Sequence, residues 1–212
     1  MTLISRLMAV FPAFTMSLWL ACILWFGAAP GPIPVVALLA AIYLWPLACF
    51  RLHHRVYGLK EGASHLAGDD YSPWWGSHQI QLVYIAFPSI EMGLRMVPGL
   101  FSFWLRLWGS KIGSNVYWTP QIEVVDRGLV EIGDNVVVGH RVGFYSHLIK
   151  PTKKNVLLYV KRIKIGDGAF IGGFTGFTPG VEIAPGAVVP MDTRLQPRER
   201  YGFDEPEPET KT

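Results

Sequence analysis

The chain has 212 residues, of which 50% are apolar and only 17% charged. It is long enough for one or two domains and poorer in charge than the roughly 25% of an ordinary soluble domain. A net charge of +3, with no basic stripe interleaved with aromatic residues, excludes nucleic acid as a partner.

Residues 1–50 carry a single charged side chain, Arg6. Residues 7–27 and 33–50 are two apolar stretches close to the ~20 residues a bilayer-spanning helix needs. They are separated by the uncharged turn "AAPGPIP". A cleaved signal peptide has a shorter apolar core and no second apolar stretch behind it. Residues 1–60 are therefore expected to form a transmembrane helical hairpin. Cys22 and Cys49 then lie at depths roughly 16 Å apart, beyond the reach of a disulfide, so both are expected as reduced thiols. Arg6 precedes the first span, and Arg51, Arg55 and Lys60 follow the second. The positive-inside rule places both termini in the cytoplasm, hence an integral protein of the bacterial inner membrane.

Residues 61–110 read as amphipathic helices. Ser72-Pro73 is a start signal, a capping hydroxyl followed by proline at the first helical position. Farther on, Glu91, Arg95, Gly99, Ser102 and Arg106 form one narrow non-apolar stripe on a helix that Pro98 should kink. The pattern suggests an interfacial or re-entrant helix half sunk in lipid. The alternative is a helix that packs its wide apolar side on the rest of the protein. His78, between Trp74-Trp75 and Gln79, is a candidate substrate contact.

From residue 112 the chain counts in sixes. "IGSNVY", "WTPQIE" and "VVDRGLVE" make a first turn, widened by two residues around Asp126-Arg127-Gly128. "IGDNVV", "VGHRVG" and "FYSHLI" make a second, and residues 150–164 interrupt the pattern. "IGDGAF", "IGGFTG" and "FTPGVE" make a third turn, and "IAPGAV" and "VPMDTR" begin a fourth. An inward aliphatic residue every six positions, with a small or turn-forming residue at each corner, describes short strands stacked as a triangular coil.

On these hexads, residues 111–195 resemble the hexapeptide-repeat acyltransferases. The resemblance implies a left-handed parallel β-helix, a homotrimer, and acyl-CoA, most simply acetyl-CoA, as cosubstrate with no metal. With Phe144 opening a hexad, Tyr145 and His147 point outward, and His140 occupies the preceding corner. His147 matches the family's general-base histidine beside an extruded loop. Asp126, one turn earlier, is placed to fix the tautomer of that imidazole. Tyr145 and His140 are candidate substrate contacts. Lys153 and Lys154 are candidate contacts for the coenzyme A phosphates. Gly172, Gly173, Ala184 and Gly186 are small outer positions that in similar enzymes let the pantetheine arm lie along the coil.

The expected activity is acyl transfer to a hydroxyl or amine of a membrane lipid, or of a lipid-linked or glycan acceptor. Two other readings compete: a non-catalytic membrane scaffold on a degenerate coil, and a zinc hydratase of the γ-carbonic-anhydrase type. The latter needs three histidines around one ion, and the coil supplies only His140 and His147. Residues 196–212, ending in "DEPEPETKT", are expected to be a disordered tail.

Overall fold

The structure, a computed structural model, describes residues 2–66, 70–153 and 155–203. Helix α1 (Leu3–Ala28) opens with Thr2 as its cap, whose hydroxyl accepts from the Ser5 amide at 3.1 Å. A second rod packs against it: α2 (Pro32–Leu39), one π-helical turn (Ala40–Leu44) and α3 (Trp45–Tyr57). The widened turn frees carbonyls from the regular ladder. The Trp19 indole donates to the carbonyl of Ala41 at 3.1 Å, and the Tyr84 hydroxyl donates to that of Ile42 at 2.6 Å. Both rods are 26 residues long, with mean hydropathies of 2.1 and 2.2, and both are long and apolar enough to cross a membrane. Cys22 and Cys49 are free.

The next segment begins with a strand, where the sequence suggested a helix. β1 (Gly62–His65) precedes α4 (Pro73–Ala86), α5 (Ser89–Arg95) and α6 (Leu100–Leu107). Pro98 and Gly99 divide the expected kinked helix into two, with Gly99 at φ +76° in a left-handed conformation that glycine adopts without strain. Only part of the non-apolar stripe of α5 and α6 is turned inward, with Ser102 buried and Gly99 and Arg106 exposed. Glu91 and Arg95 are buried, and Met92, Met96, Val97 and Phe103 face outward. Phe101, Trp104 and Leu105 are buried in the core, so the alternative of an apolar side packed inward holds for α6, and the polar residues beside it make hydrogen bonds. Arg106 donates to the carbonyls of Ile112 and Gly113, Arg95 to that of Pro120, and the Trp118 indole to the Ser102 hydroxyl. These bonds tie α5 and α6 to the backbone of the first turn of the next domain.

That domain is three parallel sheets, each visited in turn. The first face holds β2 (Lys111–Ile112), β5 (Val130–Ile132), β10 (Ile163–Ile165), β13 (Glu182–Ile183) and β15 (Arg200–Tyr201). The second holds β3 (Tyr117–Trp118), β6 (Val137–Val138), β11 (Phe170–Ile171) and β14 (Val188–Val189). The third holds β4 (Glu123–Val124), β7 (Gly143–Phe144) and β12 (Gly176–Phe177). The residues that open hexads stack directly on one another: Ile112 on Ile132, Ile165, Ile183 and Tyr201, and Trp118 on Val138, Ile171 and Val189. Val124, Phe144 and Phe177 complete the core from the third face. The first face carries a paired charge ladder outside, Lys111–Glu131 and Lys164–Glu182–Arg200. The second carries Tyr117, Val137, Phe170 and Val188 in register.

The chain leaves this coil at His147, three residues before the expected break. β8 (His147–Pro151) and β9 (Val156–Val160) form an antiparallel hairpin, and β1 adds to its far edge. The Lys161 amide donates to the Ser146 carbonyl at 2.9 Å and closes the hairpin base. Leu148 and Ile149, carried out on this hairpin, are exposed. At the other end, β15 pairs with β13, so the coil runs six residues past 195. Expected disorder at residues 196–203 is therefore corrected, because Ile183 offers one more rung for Tyr201 to cover. Residues 204–212 lie outside the described residues.

Candidate functional site

The widened first turn places Asp126 under the point where the chain departs at His147. Asp126 Oδ2 lies 2.7 Å from His147 Nδ1, and its other oxygen, Oδ1, accepts from the Trp74 indole N–H at 3.0 Å. Asp126 is buried and His147 half-buried. A carboxylate is an acceptor only, so the bond assigns the ring proton to Nδ1 and leaves the lone pair on Nε2.

Helix α4 covers this pair. Trp74 and His78 are four residues apart and so share one face of α4. Their rings stack at 4.9 Å, the Trp74 ring lies 4.5 Å from that of His147, and the two histidine rings meet edge to face at 5.4 Å. One ligand-type atom each from His78, Asp126 and His147 falls within 4.8 Å of the others. Burial lowers the pKa of His78, as do the charges of His147 and Arg127, against the opposing pull of Asp126. His78 is accordingly held neutral.

The residue after Asp126 secures this arrangement to the helices. Arg127 donates to both oxygens of Glu91, from Nε at 2.6 Å and Nη2 at 2.7 Å. Its own amide donates to Gln81 at 2.7 Å, and its guanidinium lies 4.9 Å from the centre of the Tyr84 ring. The Trp104 indole also donates to Glu91, at 2.8 Å. Arg95, its pKa pulled down to about 10 by burial against the opposing effect of Glu91, completes the cluster. The acid is thereby satisfied by two cations and an indole, the condition for a buried charge to be tolerated.

The other expected residues are dispersed. Tyr145 is exposed and donates to Glu123 at 2.7 Å, and burial together with that bond raises its pKa to about 12. His140 sits at the exposed corner before β7, its ring 6.1 Å from that of Phe174. Lys153 is exposed in the β8–β9 turn, and Lys154 lies outside the described residues. Gly172 is small for a packing reason: a Cβ there would collide with the backbone of Pro190 and Met191 in the next turn. Gly173 has the carbonyl of His140 3.1 Å from its missing Cβ, and Gly186 takes a corner at φ +69°. Ala184 is buried, with Gly202 of the next turn beside it.

Sequence reading missed Trp74, Glu91 and Arg127 as site-building residues. The signal for Arg127 was present in the two-residue widening of its hexad, and that for Trp74 in its i,i+4 spacing to His78. Two clefts of about 650 and 720 Å³ lie elsewhere, along the first face and beside Met96–Trp118, and neither is lined by His147. The site is defined by its chemistry rather than by concavity.

No family model matches the chain. It is 36% identical over 81 residues to a Saccharomyces cerevisiae protein whose acetyltransferase assignment is itself provisional. That match covers 37% of this chain and 41% of the relative, so the chain spans about two fifths of its length. Among solved structures it is similar to a hexapeptide-repeat acetyltransferase of Vibrio cholerae complexed with acetyl-coenzyme A. There the identity is 22% and the TM-score 0.39, over 44% of this chain and 51% of the other. It is also similar to a galactoside acetyltransferase in complex with coenzyme A, with 14% identity and a TM-score of 0.42, over 64% and 80% of the respective chains.

Proposed function

We propose that the protein is an integral-membrane acyltransferase that moves an acyl group, most simply acetyl, from acyl-coenzyme A to a hydroxyl or amine of a membrane-associated acceptor. The observation that carries this reading is the His147–Asp126 pair, an outward imidazole whose Nδ1 proton is held by a buried carboxylate at 2.7 Å. Nε2 of His147 takes the proton from the acceptor as its oxygen or nitrogen attacks the thioester carbonyl. The tetrahedral intermediate collapses, the carbon–sulfur bond breaks, and the imidazolium returns the proton to the coenzyme A thiolate. Imidazole suits both transfers because its ordinary pKa lies near neutrality.

In this reading the three-sided coil is a left-handed parallel β-helix. The donor lies along its outer surface near Gly172 and Gly173, with Lys153 near its phosphates. His78 and Trp74 form the acceptor's side of the site. The two apolar rods span the inner membrane with both ends and the coil in the cytoplasm, and the outward Met92, Met96, Val97 and Phe103 touch the bilayer surface. Confinement beside the membrane raises the effective concentration of an amphiphilic acceptor. The apolar ladder of Tyr117, Val137, Phe170 and Val188 supports assembly into a homotrimer.

The test uses the full chain in detergent with labelled acetyl-coenzyme A and a membrane lipid extract, read by mass spectrometry of the lipids and by release of free coenzyme A. His147→Ala should lower turnover by about two orders of magnitude or more. Unchanged turnover would remove the assignment.

A further inference from the structure

His78, Asp126 and His147 also have the composition of a metal site. One ligand-type atom from each lies within 4.8 Å of the other two. His78 Nδ1 is buried and has no hydrogen-bond partner among the described residues. A buried imidazole nitrogen without a partner is uncommon in a protein interior. We propose that these three side chains bind a divalent transition metal of the zinc type, and that the bound ion switches the site off. The second half of this proposal rests on the acyltransferase reading, and the first does not.

Two imidazoles and a carboxylate are the donor set that suits zinc, with three protein ligands and a fourth position open to water. Bond lengths of about 2.0–2.2 Å would bring the three donor atoms to roughly 3.3–3.6 Å from one another. Side-chain shifts of about an ångström reach that spacing from the present one. The coil supplies Asp126 and His147, and the third ligand, His78, arrives from α4; the other coil histidine, His140, is not part of the set.

The ion and the base compete for one lone pair. An ion on Nε2 of His147 occupies the atom that must accept the proton. An ion on Nδ1 leaves the single ring proton on Nε2, which then has no lone pair to offer. Either way, acyl transfer stops while the metal is bound. Removing the metal restores the Nδ1–H to Asp126 bond and the base.

The experiment titrates the full, tag-free chain in detergent with Zn²⁺ alone by calorimetry, and with Co²⁺ alone by visible absorption. One ion per chain is expected, with the intense cobalt bands of a four-coordinate site. His78→Gln and Asp126→Asn should each weaken binding at least about tenfold and abolish the bands; His147→Gln serves as a third variant should either fail to fold. Binding of neither ion, or binding indifferent to all three substitutions, overturns the site. Turnover should fall in step with occupancy and return on adding a chelator. Full turnover with the metal bound overturns the switch. An intact metal isotherm with no acyl transfer under any condition overturns the acyltransferase reading, and the switch with it, but not the site.

Discussion

Asp126 and Arg127 are consecutive residues whose side chains run in opposite directions. Asp126 reaches His147 at 2.7 Å, while Arg127 takes both oxygens of Glu91. The two extra residues in the first turn of the coil thus hold the candidate base and fasten the coil to the helices at once.

Asp126→Asn should lower turnover by about two orders of magnitude or more while leaving the fold intact. The amide can donate to Nδ1, which moves the ring proton to Nε2 and removes the base. Steady-state kinetics with free coenzyme A as readout would show the loss in kcat with little change in the KM for the donor.

Arg127→Met alone should destabilise the protein by about 3–5 kcal/mol, because Glu91 is left buried without its bidentate partner. Pairing it with Glu91→Gln should recover much of that loss. Thermal unfolding of the two variants in detergent gives the comparison, and equal midpoints would contradict the argument.

Trp74→Phe keeps an aromatic ring against His78 but deletes the N–H that Asp126 accepts. The loss of one hydrogen bond to a charged group, about 1.5–3 kcal/mol, should be felt as a fall in kcat at little change in the KM for the donor. A variant with merely looser packing would lose stability without a matching fall in kcat per folded molecule.

His78 has a pKa below its ordinary value of 6.5, chiefly through burial. The unfolded chain therefore takes up its proton first as the pH falls. The linked stability is present above about pH 6.5 and is lost below it. Asp126, His147 and Arg127 face the same ring. His78→Gln should flatten this part of the profile, so the wild type should lose more of its thermal midpoint between pH 7.5 and 5.5 than the variant does.

Gly172→Ala and Gly186→Ala should both destabilise the coil, for different reasons. The first forces a methyl into the backbone of Pro190 and Met191, an overpacking cost of about 1–3 kcal/mol. The second strains a left-handed corner by about 1–2 kcal/mol. Neither touches the His147–Asp126 pair, so residual turnover per folded molecule should track donor binding alone.

The coil was legible because its period is local. Each hexad announces its inward residue, and the stack of Ile112, Ile132, Ile165 and Ile183 follows from spacing alone. The proximity of Asp126 to His147 was legible for the same reason, one turn below. The role of α4 was not, since a helix's own periodicity reveals a face but not the surface that face meets. The stripe Glu91–Arg106 shows the same limit: its residues mark a polar side, but the carbonyls of Pro120, Ile112 and Gly113 that Arg95 and Arg106 meet could not be read from that spacing. The hairpin that starts at His147 is extended by β1, a strand contributed from some ninety residues earlier, and no local period announces that pairing.

That strand ties the two halves of the molecule together. Gly62–His65 is the outer rail of the hairpin whose inner rail starts at His147. A cut far enough along to free the repeats would carry off the rail, the indole above Asp126 and the second imidazole together. The candidate site is therefore not contained in the repeats alone.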